Sequence, residues 1–142
     1  DDIEAVTELV NQLVVHGVLP LDRESETRDQ ILQREKVAST CIGNGVAIPH
    51  HKSKFAEKFG LAVGVSHDGI EWGAHDSIPA MVVFLWICQP SETPAHLALM
   101  RCIASLARDP DTAGQLAAIK DRKSLQALFE TVPLEDGSGG KK

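Results

Sequence analysis

The stretch from Ser39 to Lys52 reads Ser-Thr-Cys-Ile-Gly-Asn-Gly-Val-Ala-Ile-Pro-His-His-Lys and decides what fold we expect. Its Gly43-Asn44-Gly45 turn favours positive φ and lets the backbone approach a ligand closely. Val46-Ala47-Ile48 is apolar and long enough for one short strand. Pro49 has no N–H to donate to a sheet, so it is expected to end that strand. His50 then lies at the rim of a rigid element, and we expect the rest of the chain to hold it there.

The composition limits the classes of protein to which the chain can belong. Its 142 residues fit one domain with an ordinary core, and 43% hydrophobic with 24% charged residues is typical of a globular protein. A net charge of −6, without a cluster of Lys and Arg, argues against nucleic-acid binding. The longest apolar run, Ala80–Cys88, is much shorter than the ~18 residues that a spanning helix needs. We therefore expect neither nucleic-acid partners nor direct insertion into a membrane.

The cysteines indicate the compartment. Cys41, Cys88 and Cys102 are an odd number without CxxC spacing, which predicts no disulfide framework. This usage favours a reducing compartment, so we expect the chain to be cytoplasmic.

Two helices are predicted ahead of the opening stretch. Asp1–Gly17 has apolar residues at helical spacing on one face. A second helix is expected from Asp22 or Ser25 to Lys36. Arg34 falls in the last turn of this helix, where a cation complements the helix dipole. Only a short loop separates Arg34 from the glycine turn.

A later helix is expected from Ala95 to Arg108. Thr93 is suited to be its N-cap and Pro94 its first residue, which places His96 in the first turn. Unpaired N–H groups there attract anions and disfavour imidazolium. His96 is therefore either a donor to a phosphoryl oxygen or a histidine at the edge of the core that a neighbour satisfies.

The strands lie between these helices. Leu61–Val65 is a predicted strand, and Ile70–Trp72 is a short extended piece of a hairpin or an edge. The continuous apolar run Ala80–Cys88 predicts a central strand that is covered on both faces. The fold class that follows is α/β, a single domain with a small mixed β-sheet sandwiched by helices.

The C-terminal part of the chain is expected to finish this domain. Short helices are predicted over Thr112–Lys120 and Ser124–Val132. We expect the domain to cover residues 1–132 and a flexible tail to cover residues 133–142.

His50 has two interpretations from the residues alone. Imidazole is largely neutral at pH 7, and the neutral ring can act as a nucleophile. Alternatively, His50 is an ordinary loop histidine bonded to a backbone carbonyl. A zinc site built from His50, His51 and His67 is a third and more generic alternative, although the sequence contains no HExxH motif and no zinc-ribbon spacing. The Gly43-Asn44-Gly45 turn lacks the Lys and the Ser or Thr that follow the glycines of a phosphate-binding P-loop. We expect no cofactor.

Three motifs follow one another here: Arg34-Glu35-Lys36, the Thr-x-Ile-Gly-x-Gly turn, and the Ala-x-Pro-His ending at His50. Together they resemble the enzyme IIA domain of the phosphoenolpyruvate-dependent sugar phosphotransferase system. The most similar type is the mannitol/fructose and nitrogen-regulatory class. The order of a later apolar strand, a proline-containing loop and His96-Leu97 opening a helix agrees with that family. The resemblance covers residues 1 to about 132.

The resemblance implies a phosphotransferase. His50 would accept a phosphoryl group from a histidine phosphocarrier protein and pass it to a IIB domain or to a regulatory target. His96 would be the second histidine of the site and Arg34 its cation. Thr40 and the N–H groups of Gly43-Asn44-Gly45 would bind the phosphoryl oxygens as an anion nest.

This chain departs from the family at two places. His51 stands where such domains commonly have glycine or alanine, and the strand expected ahead of the first helix is absent, which suggests a piece of a longer protein. A regulatory binding module, in which phosphorylation is not essential, is the alternative function.

Overall fold

The computed structural model describes residues 1–118, except for the side chain of His67. Within this range there are four α-helices: α1 (Asp2–Val15), α2 (Glu24–Val37), α3 (Thr93–Ala107) and α4 (Thr112–Ala117). Five strands lie between α2 and α3: β1 (Cys41–Gly43), β2 (Val46–Ala47), β3 (His50–Lys52), β4 (Gly60–Ile70) and β5 (Ala80–Cys88). Short 3₁₀ helices, Leu21–Arg23 and Pro90–Glu92, precede α2 and α3. The order agrees with the predicted α/β class.

Strand β5 is the centre of a mixed sheet. Strands β2 and β3 both pair with it in parallel, whereas β4 pairs with it antiparallel. Strand β1 extends the sheet by pairing antiparallel with β2. Every residue of β5 except Met81 is buried, as predicted for a strand covered on both faces.

Strands β2 and β3 form one interrupted edge along β5. Val46 lies opposite Val82 and His50 opposite Trp86, so the register does not change across the interruption. Pro49 donates nothing, but its carbonyl accepts a hydrogen bond from the Trp86 N–H at 3.3 Å. Strand β2 ends at Ala47, just ahead of the proline, as predicted. A further strand that was not predicted, β3, begins at His50 and continues the pairing with β5 in the same register. His50 is a strand residue that is held by register.

Strand β4 is longer than predicted. It runs through the polar residues 66–69 to Ile70, with a register shift between Val65 and Ile70. The separate piece predicted over Ile70–Trp72 is therefore wrong, since Ile70 ends β4 and Glu71 and Trp72 lie outside any strand. The irregular pairing explains the error, because a shifted ladder can include polar residues that interrupt apolar alternation.

The sheet separates two apolar clusters. Alternate β5 residues Val83, Leu85 and Ile87 pack with α1 on one face. Val82, Phe84, Trp86 and Cys88 pack with α3 and α4 on the other. The helices therefore sandwich the sheet, as predicted.

The helix ends match the sequence signals in part. Asp1 caps α1, since its side chain accepts from the Glu4 N–H and Glu4 reaches back to the N-terminus. Thr93 is not the N-cap of α3, because the preceding 3₁₀ helix brings it inside the helix, where its hydroxyl donates to the Pro90 carbonyl.

Some predictions lie outside the described residues, namely the helix over Ser124–Val132 and the tail over 133–142. Among residues 1–118, no helix has both the length and the apolar character needed to cross a membrane.

Candidate functional site

A surface cleft of about 510 Å³ lies where α2, β3 and the start of α3 meet. We call it the histidine cleft. Its polar lining comes from Arg34, Glu35 and Thr40 on one side and from His50, His51, Lys52 and His96 on the other. The structure therefore brings together His50, His96, Arg34 and Thr40, which are distant in sequence.

His50 is half-buried at the start of β3. Its Nδ1 lies 2.7 Å from the carbonyl oxygen of Ile48. A carbonyl only accepts, so Nδ1 carries the proton and Nε2 of the neutral ring keeps its lone pair. Nε2 has no hydrogen-bond partner among the described residues, and it is not buried. Nε2 of His50 is therefore accessible and has no partner within residues 1–118.

His96 lies in the first turn of α3 and is only 6% exposed. Its ring centroid is 4.9 Å from that of His50. Its Nδ1 accepts a hydrogen bond from the indole Nε1 of Trp86 at 2.9 Å. Burial, followed by electrostatic interaction with His50 and Lys52, lowers the pKa of His96 to about 4. His96 is therefore neutral at pH 7.

Two cations border the cleft. Arg34 lies in the last turn of α2, and one of its Nη atoms donates to the Ala38 carbonyl at 2.7 Å. A guanidinium has five N–H groups, so others remain for an anion. Lys52, at the end of β3, donates from Nζ to the Thr93 hydroxyl at 2.9 Å. Both side chains place positive charge beside the histidines.

Glu35 fixes the position of Thr40. Its two carboxylate oxygens accept from the backbone N–H of Thr40 at 2.7 Å and from the hydroxyl at 2.8 Å. The Trp72 indole also points to that hydroxyl, at 3.4 Å. Both Arg34 and Glu35 line the cleft, and Glu35 in addition anchors the loop that contains Thr40.

The glycine turn lies elsewhere. Gly43, Asn44 and Gly45 all have positive φ, as the sequence predicts, but none lines the histidine cleft. The Asn44 N–H donates to Asp76 at 2.9 Å and the Asn44 side chain to the Ala107 carbonyl at 2.7 Å. The turn holds α3 and the loop before β5 in place, and the N–H groups of Thr40 and Asn44 that were predicted to join an anion nest are already bonded.

His51 follows His50 on β3 and also lines the cleft. Burial, and then the proximity of His50, lowers the pKa of His51, an effect that Glu26 partly offsets. The described residues contain no group of three or more His, Cys, Asp or Glu arranged to hold a metal ion. The side chain of His67, the third member of the alternative zinc site, is not described.

Three residues of the site were missed by the sequence reasoning. Lys52 was missed because β3 was not predicted; on that strand it follows His50 by two positions and therefore points to the same face. Trp86 was predicted only as part of a buried strand. Its contact with His96 depends on how α3 docks on β5, which no local pattern reveals. The hydrogen bonds that Thr40 donates to Glu35 likewise depend on the path of the loop.

Comparison with known proteins places these features in a family. The family model described as "Phosphoenolpyruvate-dependent sugar phosphotransferase system, EIIA 2" matches residues 1–132. A nitrogen regulatory protein of Bradyrhizobium diazoefficiens is 36% identical over 104 residues, which are 72% of this chain and 67% of that protein. The fructose-specific EIIABC component of Bacillus subtilis is 32% identical over 131 residues, which are 92% of this chain. The chain spans only 20% of that protein.

Solved structures show the same fold. The IIA mannitol crystal structure from Escherichia coli matches with a TM-score of 0.73 at 21% identity, covering 89% of this chain and 87% of that one. The complex of enzyme IIA mannitol with phosphorylated enzyme IIB mannitol, also from Escherichia coli, matches with a TM-score of 0.72 at 19% identity, covering 91% and 87%. The family match over residues 1–132, together with this fold, shows that the chain belongs to the EIIA type 2 family of the phosphoenolpyruvate-dependent sugar phosphotransferase system.

Proposed function

We propose that the chain is a phosphohistidine carrier. Nε2 of His50 accepts a phosphoryl group from a histidine phosphocarrier protein and passes it to a IIB domain, or presents it as a regulatory signal. The observation that carries this proposal is the 2.7 Å hydrogen bond from Nδ1 of His50 to the Ile48 carbonyl. That bond leaves Nε2 as the nucleophile at the edge of the cleft.

The transfer needs no proton to move. The N–P bond of the donor phosphohistidine breaks and its electron pair returns to the donor ring, while the lone pair of His50 Nε2 forms the new N–P bond. The phosphorylated ring of His50 keeps its proton on Nδ1 and becomes cationic. The Ile48 carbonyl, which already accepts that N–H, then stabilises the charged ring more strongly than the neutral one.

The cleft supplies what such a transfer requires. In phosphoryl transfer the protein mainly positions the group and neutralises the charge on its oxygens. Arg34 and Lys52 bring two positive charges to the cleft, and neutral His96 adds a donor beside His50. Removing one preorganised donor typically costs about 100-fold in rate.

The test is phosphorylation in a reconstituted relay. With phosphoenolpyruvate, the first enzyme of the relay and the phosphocarrier protein, intact-mass spectrometry should show one acid-labile phosphoryl group. His50→Ala should abolish it and Arg34→Ala should slow it about 100-fold. His16→Ala, which removes an exposed histidine at the end of α1, is the matched control and should be phosphorylated normally. An unmodified wild-type chain under these conditions rejects the proposal.

A regulatory role is the second candidate, and the similarity to a nitrogen regulatory protein favours it. In that case a target protein reads the state of the domain, and phosphorylation is not essential for binding. Target binding that persists in His50→Ala would support this role. Binding that depends strictly on His50 would support the carrier role. For either role we propose the cytoplasm, since an odd number of cysteines without CxxC spacing favours a reducing compartment.

A further inference from the structure

One buried side chain touches both histidines of the cleft. Trp86, in the middle of β5, is fully buried. Its ring is stacked on that of His50, with centroids 5.0 Å apart and an interplanar angle of 12°. Its indole Nε1 is 2.9 Å from Nδ1 of His96. Register explains the first contact, because Trp86 lies directly opposite His50 in the sheet.

The hydrogen bond to His96 determines where that ring carries its proton. An indole N–H can only donate, so Nδ1 of His96 must be the acceptor. The neutral ring then has its proton on Nε2. The opposite tautomer, or a doubly protonated ring, would place two hydrogens against each other at this contact.

The Nε2–H of His96 is not enclosed in the core. It has no hydrogen-bond partner among the described residues, yet it is not a buried unpaired atom. It therefore has access to the cleft that His96 lines. The two rings thus present complementary groups: His50 offers a lone pair, and His96, 4.9 Å away, offers an N–H.

We propose that Trp86 is a positioning residue for phosphoryl transfer: its indole N–H holds His96 in the Nε2–H tautomer, so that His96 donates to the phosphoryl group that His50 accepts. This inference rests on the proposed carrier function. No covalent change occurs at Trp86 or His96, and His96 keeps its proton throughout.

The stacked face of the indole has a second effect on the same reaction. The ring of His50 becomes cationic when Nε2 is phosphorylated, and a cation within about 6 Å of an indole centroid is stabilised by the ring quadrupole. The stacking also fixes the plane of His50, while the bond to Ile48 fixes its rotation. One residue therefore orients both the acceptor and the donor of the cleft.

The tautomer can be measured without any phosphoryl transfer. Nitrogen-15 NMR of the imidazoles should show His96 protonated on Nε2 only, at pH 7. In Trp86→Phe, which keeps an aromatic ring but removes the donor, we expect a mixture of tautomers and a rise in the pKa of His96 from about 4. The charged or titratable groups that act on His96 in this measurement are His50 and Lys52. A wild-type His96 that carries its proton on Nδ1 would overturn the proposal.

The rate of phosphorylation provides the second readout. Trp86→Phe should lower it about 10- to 100-fold, the range seen when a hydrogen bond that orients a functional histidine is removed. If the tautomer changes but the rate does not, the positioning role is rejected while the carrier function stands. If the wild type accepts no phosphoryl group, the carrier function fails, whereas the NMR spectrum still tests the tautomer of His96 independently of that outcome.

Two further variants separate positioning from simple packing. Trp72→Phe removes the other indole N–H of the chain, which points to Thr40 instead of a histidine, and should leave the His96 spectrum unchanged. Replacing Trp86 by benzothienylalanine preserves the shape and substitutes sulfur for the N–H. It should reproduce the Trp86→Phe spectrum and rate even if the phenylalanine variant folds poorly. A benzothienylalanine protein with wild-type tautomer and rate would overturn the proposal.

Discussion

Three polar side chains at the centre of the histidine cleft are each held by a hydrogen bond to a defined partner. The Ile48 carbonyl holds His50, the Trp86 indole holds His96, and the Glu35 carboxylate holds Thr40. The Ile48 partner is a backbone group and the Trp86 partner is a buried side chain, so the fold holds both of them rigidly. The site is therefore largely formed before any phosphoryl donor arrives.

The depressed pKa of His96 makes stability depend on pH. The folded value of about 4 lies below the ordinary 6.5, so the unfolded chain takes up a proton first as the pH falls. The contribution of neutral His96 to the free energy of unfolding is fully present above pH 6.5 and is lost as the pH falls from 6.5 to about 4. We expect a loss on the order of 2 kcal/mol from this histidine.

Urea denaturation at several pH values between 7 and 4.5 tests this expectation. His96→Gln should remove that part of the pH dependence, whereas His16→Gln, at an exposed position, should keep it. An identical slope in His96→Gln and the wild type would contradict the assignment.

Motifs in the sequence predicted that Arg34, His50 and His96 lie together, but not the chemical form of each ring. Arg34, His50 and His96 do meet in one cleft. The protonated nitrogen of each ring depends on a partner that only the folded chain supplies.

The glycine turn shows the opposite error. Its conformation was predicted, but its N–H groups serve the fold, because Asp76 lies close enough to accept one of them.

At the scale of elements, the strength of a local signal decided what could be predicted. The nine apolar residues of β5 are unambiguous and define both its type and its bounds. Strand β3 was missed because Pro49 signals an end, while the bond from the Trp86 N–H to the Pro49 carbonyl is visible only once β5 is in place. Strand β4 was cut short by its polar residues for a similar reason.

The start of β4 contains a glycine that the packing requires. A Cβ on Gly60 would lie 2.8 Å from Cγ1 and 3.0 Å from Cβ of Val18, which is itself buried. Valine is stiff and cannot move aside easily. We expect Gly60→Ala to reduce the free energy of unfolding by about 1–3 kcal/mol.

Gly64 in the same strand is the matched control. A Cβ there would meet Leu9 at an ordinary 3.4 Å. We expect Gly64→Ala to change the free energy of unfolding by less than about 1 kcal/mol. Thermal or urea denaturation of the two variants gives the comparison, and equal stability would show that the contact with Val18 relaxes without cost.

At the scale of the whole molecule, the sheet separates two apolar clusters and contributes side chains to both. The alternation of β5 residues sends Leu85 to the α1 side and Trp86 to the α3 side. The sandwich was predictable from the order of helices and strands. The pairing of β5 with three strands was not, because strand order depends on contacts between residues far apart in sequence.

This shared strand predicts a single cooperative unfolding transition. The two tryptophans of the chain report on opposite sides, since Trp72 belongs to the α1 cluster and Trp86 to the α3 cluster. Leu85→Ala removes apolar contacts on the α1 side only and should cost about 2–5 kcal/mol. Its effect should nevertheless appear equally in both reporters, because β5 cannot unfold on one face alone.

Fluorescence of the two single-tryptophan backgrounds, Trp72→Phe and Trp86→Phe, measures this. In each background, the midpoint from fluorescence should coincide with that from circular dichroism, with and without Leu85→Ala. A Trp86 signal that does not respond to Leu85→Ala would show that the two sides unfold independently.

The unchanged register of β2 and β3 against β5 limits which insertions and deletions this chain can accept. Both segments are anchored to the same strand, so any change in length at residues 48–49 must alter which residue lies opposite Trp86. Loss of one residue there would bring His51 to that place, and gain of one would bring Pro49. Residues 53–59, which belong to no strand, carry no such restriction. Variation in length among related sequences should therefore accumulate after Lys52 and be absent between Ala47 and His50.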